Sequence, residues 1–271
     1  MSRLADEYAR NGAVVVRGAL DAERIAIATR GIERVLAHPS PLAITASTTD
    51  DPGRFVEDFR TWTAVPDIEA LALDPELGAL AAELMGSTTA RFYHDHVLVK
   101  EPGTRQRTPW HQDLPYFDID GTQTVSFWIP VDPVPAASSL EFVAGSHLGP
   151  WCTPRTFMDR VAKWFPDGAL TELPDIDADR AAFPILSWAL EPGDLVAFHM
   201  LTVHGAAGFE GPGRRRVLSL RYVGDDVVHA PRAWRTSPPF PELTDPTDGA
   251  SALAVGAPLD HPLFPLVFPP A

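Results

Sequence analysis

The sequence has 271 residues, 45% of them hydrophobic, enough for one domain to bury a substantial core. Its 22 Lys and Arg stand against 36 Asp and Glu, a formal charge of −14 that repels phosphate backbones and anionic bilayers and argues against nucleic-acid or membrane partners. The single cysteine, Cys152, excludes an internal disulfide framework and fits a reducing compartment.

Charged Arg3, Asp6, Glu7 and Arg10 stand where a signal peptide would be apolar, and no run of about 18 apolar residues occurs, so a cytoplasmic protein is expected. Leu4 to Ala9 carries a short helical pattern stopped by Asn11-Gly12, and Ala13 to Val16 reads as a buried strand. Asp21 is placed to cap a helix running to about Ala37, with Ile25, Ala28, Ile32 and Val35 on one face. Pro66 and Pro75 sit near the starts of two further helices, the second stopping at Gly86.

From Arg91 onward the period changes to two. Phe92, His94, His96 and Leu98 alternate with Tyr93, Asp95, Val97 and Val99, and Lys100-Glu101-Pro102-Gly103 turns the chain. Thr124 to Val134 is a strand carrying Trp128, followed by Leu140 to His147; a turn at Pro192-Gly193-Asp194 launches Leu195 to His204, and Arg214 to Val223 is the last clear strand. Helices over about 1–90, strands over about 91–228 and a proline-rich tail over 230–271 make one domain, 1–271. Its expected class is mainly β with flanking helices, an antiparallel sandwich or barrel. The tail is expected to wrap the barrel or to mediate a homodimer. Gly149 to Trp188, with Trp151, Phe157, Met158, Trp164 and Phe165, is irregular and apolar-rich, which suits a lid or pocket wall and equally an insertion with its own small core.

The chemistry concentrates in Thr108-Pro109-Trp110-His111-Gln112-Asp113. In an extended strand His111 and Asp113 project from the same face while Trp110 and Gln112 turn away. One imidazole and one carboxylate are two thirds of a facial triad, which leaves open positions on a non-heme Fe(II); as a surface salt bridge the same pair would carry no function. His204, at a strand end before Gly205, is the natural third ligand. His199, five residues earlier, falls on the opposite strand face and reads as a core or surface histidine. His94-x-His96 followed by Glu101 is a second candidate set, with the spacing of a cupin metal motif but without its flanking glycines.

The runs TPWHQDLPYF, SFWIPVDPV, LEFVAGSH, HMLTVHG and RRRVLSLRY, in that order and spacing, resemble the phytanoyl-CoA dioxygenase family of Fe(II)- and 2-oxoglutarate-dependent oxygenases. The resemblance covers about Lys100 to Val223 and is looser over Phe59 to Ala72. It implies a double-stranded β-helix, a jelly-roll of the cupin type, with His111, Asp113 and His204 as iron ligands and 2-oxoglutarate and O2 as cosubstrates. In the family an arginine follows the distal histidine by eleven residues, which selects Arg215 where strand parity leaves Arg215 and Arg216 open. Its planar fork suits the cosubstrate's far carboxylate, with Ser219 as a hydroxyl donor on the same strand face. Trp128 matches a family tryptophan near the cosubstrate, although an aromatic in a barrel also serves as plain core. Ala137-Ser138, Ala144 and Ala206 depart from the family's Asn-Gly, Pro and Ser and leave the ligands untouched.

The resemblance implies oxidation of a small molecule coupled to conversion of 2-oxoglutarate into succinate and carbon dioxide, with hydroxylation the expected outcome. Retention of Asp113 disfavours halogenation, because halogenating relatives carry a small residue there. A small, largely apolar metabolite is the expected substrate. A metal-dependent hydrolase would need a positioned general base, and no His-Glu-x-x-His helix occurs. The intact triad and Arg215 argue against a catalytically inactive binding barrel.

Overall fold

Side-chain caps or prolines set the helix starts. The computed structural model describes residues 2–153, 168, 170–209, 213–244 and 252–270. In α1 (Arg3–Asn11) the Ser2 hydroxyl accepts from the Ala5 amide, and Gly12 closes the helix at φ 74°. A side chain on Gly12 would be strained there and would run into Thr202 and His147. β1 (Ala13–Val16) follows. In α2 (Ala22–Ala37) the Asp21 carboxylate accepts from the Arg24 amide at 2.8 Å, a cap worth about 1 kcal/mol. After β2 (Ile44–Thr45) and β3 (Phe55–Phe59) come α3 (Pro66–Ala72) and α4 (Pro75–Met85), each opening on its proline.

The remaining elements are strands and short 3-10 turns. β4 (Ala90–Lys100), β5 (Thr108–His111), β6 (Ile119–Asp120), β7 (Thr124–Pro130) and β8 (Leu140–Val143) precede the irregular stretch. β9 (Ile185–Ser187), β10 (Leu195–Phe198), β11 (His204–Ala206), β12 (Arg215–Val223), β13 (Val228–His229) and β14 (Leu266–Phe268) follow it. The larger sheet has the order β1-β10-β7-β12-β4-β3-β2, with β14 also on β4, and faces a sheet of order β5-β11-β8-β9. Every ladder is antiparallel. The architecture is the expected jelly-roll of the double-stranded β-helix type, mainly β with helices outside.

Two apolar layers position the site. The outer face of the larger sheet carries Phe92, Phe127, Leu218, Leu220 and Tyr222, which pack with Ile32, Ile68, Leu71 and Leu77 of the helices. Between the sheets lie Trp128, Val196, Phe198, Leu140, Phe142 and Val217. Alternation along β12 therefore sends Leu218, Leu220 and Tyr222 outward and leaves Arg215, Val217, Ser219 and Arg221 facing the interior. The tail wraps the barrel: Phe240 and Phe264 pack on Tyr93 at 5.3 Å ring separations, and β14 adds to β4. No helix among the described residues is long and apolar enough to cross a membrane.

Three expectations are corrected. The stretch from Leu195 to His204 is not one strand: β10 ends at Phe198 and β11 starts at His204 in the opposite sheet. His199 holds the crossing, its Nδ1 accepting from the Leu201 amide at 3.0 Å and its Nε2 donating to the Thr122 carbonyl at 2.7 Å. The strand carrying Trp128 stops at Pro130 instead of Val134, since Pro130 and Pro133 lack amide donors for a ladder. Beyond the expected strand at Ala13–Val16, β2 and β3 also occur within the first 90 residues, where only helices were otherwise expected; β3 escaped notice because charged Glu57 and Asp58 interrupt its apolar alternation, yet both are buried. Phe157, Met158, Trp164 and Phe165, assigned from sequence to a lid or insertion, lie outside the described residues.

Candidate metal centre and cosubstrate pocket

His111 ends β5 and His204 begins β11, and the two are direct cross-strand partners with ring centroids 4.2 Å apart. Asp113 does not extend the strand. It sits in αR backbone (φ −75°, ψ −46°) at the head of a 3-10 turn, and the amides of Asp113 and Leu114 both donate to the Met200 carbonyl. The carboxylate thus reaches the imidazoles through a turn and not through the i, i+2 alternation of an extended segment. Its Oδ1 lies 3.5 Å from His111 Nε2 and 3.7 Å from His204 Nε2. One donor atom from each of the three residues falls within 4.8 Å of the others, and the three are buried.

The imidazoles are aimed by their backbone. His111 Nδ1 lies 2.8 Å from the Pro109 carbonyl and His204 Nδ1 lies 2.8 Å from the Thr202 carbonyl. A carbonyl accepts only, so each Nδ1 carries the proton and each Nε2 turns a lone pair toward the centre. Burial first and the neighbouring His111 second pull the His204 imidazole down to about 3, so it is neutral and ready to ligate. Gln112 turns away, its amide nitrogen donating to the Leu201 and Pro150 carbonyls and its oxygen accepting from the Cys152 amide. Gly205, expected to let the backbone approach a ligand, instead lets β11 approach β5: a Cβ there would lie 3.1 Å from the Thr108 carbonyl oxygen.

Arg221 is the residue that sequence reasoning missed. Its Nη2 lies 3.1 Å from Asp113 Oδ2, and both side chains are buried. Burial would raise the Asp113 carboxyl, but the Arg221 guanidinium holds it well below the usual carboxylate range. The clue was the parity shared by Arg215, Ser219 and Arg221. Removing one half of a buried ion pair costs about 3–5 kcal/mol, so Arg221→Met is expected to lower the melting temperature of chelator-treated protein by on the order of 10 °C. A divalent ion on Asp113 replaces the missing charge, so the loss shrinks in protein loaded with Mn(II), and calorimetry of the two forms checks it.

At the other end of the interior, Arg215 is 2% exposed, donates through Nη1 to the Ser138 carbonyl and lies 5.5 Å from the Trp128 ring centroid. Among the described residues its Nε and the Ser219 hydroxyl have no hydrogen-bond partner. Burial brings the guanidinium down to about 10, which leaves it charged at neutral pH. Arg214 pairs with Glu33 and Glu101 at the surface, and Arg216 pairs with Asp132 and Glu33. The parity left open by the sequence therefore places Arg215 alone inward. A buried guanidinium and hydroxyl with unused hydrogen-bonding capacity fit the carboxylate of an oxo-acid, and two neutral imidazoles with a carboxylate fit Fe(II).

Lys100 is the cross-strand partner of Arg215; its Nζ donates to the Gln106 and Ala207 carbonyls at 2.7 and 2.9 Å. Burial, then Arg215, push this ammonium down to about 6. A group whose basicity falls on folding binds fewer protons in the folded chain, so its cost is full below pH 6 and fades as pH rises toward the unfolded value of about 10.4. The stability of Lys100→Met relative to the parent is expected to decline steadily from pH 6 to pH 10 in urea titrations.

His94 and His96, from the second candidate set, line the pocket beside His111, Asp113, Tyr116, Phe117 and Arg221. Glu101 pairs with Arg214 instead of joining them, and among the described residues the sole cluster with metal-ligand geometry is His111, Asp113 and His204.

A buried histidine, carboxylate and histidine at one mouth of a double-stranded β-helix is the arrangement of a non-heme iron oxygenase. The chain belongs to the phytanoyl-CoA dioxygenase family, whose model matches residues 8–217. A probable phytanoyl-CoA dioxygenase of Caenorhabditis elegans is 24% identical over 197 residues, 69% of this chain and 60% of that protein. The peroxisomal phytanoyl-CoA dioxygenase of Rattus norvegicus is 28% identical over 145 residues, 50% of this chain and 40% of that protein. The chain thus spans under two thirds of either relative's length. Among solved structures, the non-heme alpha-ketoglutarate-dependent epimerase SnoN from nogalamycin biosynthesis is 27% identical with a TM-score of 0.74, covering 98% of this chain and 97% of its own. SnoN has also been solved with Fe3+, alpha-ketoglutarate and nogalamycin RO, at 27% identity and a TM-score of 0.75 over the same shares.

Proposed function

We propose that this protein binds Fe(II) through His111, Asp113 and His204, holds 2-oxoglutarate with Arg215 and Ser219 beside Trp128, and oxidises a small molecule. The observation that carries the reading is the presence, in one barrel interior, of a three-donor face and an inward guanidinium with an unpartnered Nε. When bound, iron with 2-oxoglutarate and dioxygen supplies an oxidant that removes hydrogen from carbon, with release of succinate and carbon dioxide. The chain's own part is placement. The Pro109 and Thr202 carbonyls hold the imidazoles, Arg221 holds Asp113 ionised, and Arg215 fixes the far end of the cosubstrate. Phe59, Tyr116 and Phe117 wall the pocket and limit water near the reacting carbon.

Hydroxylation is the favoured outcome, and the retained carboxylate of Asp113 supports it over halogenation. The likeness to SnoN over nearly the whole chain supports a second outcome, inversion at carbon without net oxygen insertion, with an added reductant such as ascorbate supplying the two electrons that the substrate does not give up. Succinate formation with Fe(II), 2-oxoglutarate and a metabolite library under 18O2 tests both. Oxygen-dependent succinate, labelled in either case, supports the oxygenase reading; label in the product derived from the substrate marks hydroxylation, and its absence from that product marks inversion. Product formed without oxygen would favour a hydrolase.

A further inference from the structure

Beside its aromatic residues the pocket wall is polar. Glu57 of β3 is 1% exposed, and its Oε1 lies 3.1 Å from His96 Nε2 of the adjoining strand. Its other oxygen, Oε2, has no hydrogen-bond partner among the described residues. His94 of β4 is fully buried, and its Nδ1 lies 3.0 Å from the Asp95 carbonyl, so Nδ1 carries the proton and Nε2 is a bare lone pair. That Nε2 also lacks a partner. Glu57, His94 and His96 line the same pocket as His111 and Asp113.

A carboxylate oxygen and a neutral imidazole lone pair both accept hydrogen bonds. Leaving two such acceptors buried without a donor is costly, and native chains keep groups of this kind where a ligand completes them. His96 is held in place by Phe59, stacked on it at 4.1 Å, so Glu57 has a fixed neighbour on one side and an unfilled oxygen on the other. Two further unfilled polar atoms line the pocket among the described residues: His96 Nε2, which faces Glu57 Oε1, and Arg221 Nη1, whose guanidinium is already engaged with Asp113.

We infer that the substrate, apolar over the face that meets Phe59, Tyr116 and Phe117, presents a hydroxyl or amino hydrogen to Glu57 Oε2 and His94 Nε2 beside the metal ligands. This rests on the oxygenase reading of the same site and narrows its substrate class. An amine or a diol completes both acceptors, and a single hydroxyl fills one of them. Substrates whose only polar group near the reacting carbon is a carboxylate or an ether leave both unfilled, and a carboxylate is repelled by Glu57.

The test uses protein loaded with Fe(II) and 2-oxoglutarate under argon and four probes: 1,4-cyclohexanediol, cyclohexylamine, 1,4-dimethoxycyclohexane and cyclohexanecarboxylate. Ligand-observed NMR measures binding, and the visible band of the iron chelate is followed in the same samples. The diol or the amine is expected to bind at least tenfold more tightly than the ether and the carboxylate, and Glu57→Leu is expected to erase that preference. Far-UV circular dichroism checks the fold of the variant. Should Glu57→Leu fail to fold, the isosteric Glu57→Gln takes its place and is expected to lose the preference for the amine while keeping the chelate band. Equal binding of all four probes, tighter binding of the carboxylate, no binding of any probe, or unchanged selectivity in the variants overturns the inference. Absence of the chelate band in the parent protein overturns the oxygenase reading instead.

Discussion

His204→Ala and His111→Ala are each expected to abolish stoichiometric Fe(II) binding and to reduce succinate formation to background. Changes to groups outside the ligand sphere typically cost 10–100-fold, and deletion of a ligand should exceed that because two donors remain in place of three. Each variant also frees a carbonyl, Thr202 in one case and Pro109 in the other. His204 packs against Phe198 at 4.6 Å and Phe142 at 5.9 Å, so its removal opens space between the sheets as well. Melting curves of metal-free protein separate the effects: a modest fall in stability with complete loss of iron marks a ligand. His94→Ala is expected to retain iron. Full iron occupancy in His204→Ala, or loss of iron in His94→Ala, would assign the centre to the other histidines.

Arg215→Ala is expected to weaken 2-oxoglutarate binding at least tenfold. A hydrogen bond to a charged group contributes about 1.5–3 kcal/mol, and about 1.4 kcal/mol is one factor of ten. The buried position sharpens the effect, because the stranded carboxylate would find little water to replace the guanidinium. Lysine keeps the charge but loses the planar fork, so Arg215→Lys should recover part of the affinity. Arg214→Ala and Arg216→Ala should change it little, since their partners are Glu33, Glu101 and Asp132 at the surface. Titration of the three alanine variants with 2-oxoglutarate decides the strand register.

How much of this was legible in the sequence depended on range. His111 and Asp113 stood two residues apart and His204 closed a recognisable strand, so the donor set was readable although its geometry was not. The same-face argument for His111 and Asp113 assumed an extended chain, whereas the carboxylate arrives through a turn stapled to the Met200 carbonyl, a residue 87 positions away. The run Leu195 to His204 looked like one strand because nothing local marks the sheet crossing; the His199 side chain makes it through bonds to Thr122 and Leu201. Strand parity left Arg215 and Arg216 open, the family spacing alone favouring Arg215, until β12 was seen packing Leu218 and Leu220 on the helices. Glu57 and Arg221 escaped notice for one reason: a charged residue within a strand reads as solvent-facing until the interior it lines is known to be polar.

The most direct measurement of the central claim is anaerobic titration of the purified protein with Fe(II) and 2-oxoglutarate, following the visible charge-transfer band of the chelate. A band that saturates at one iron per chain, and that is lost in His111→Ala and His204→Ala, is the predicted result. No band in the parent protein, or an unchanged band in both variants, would contradict it.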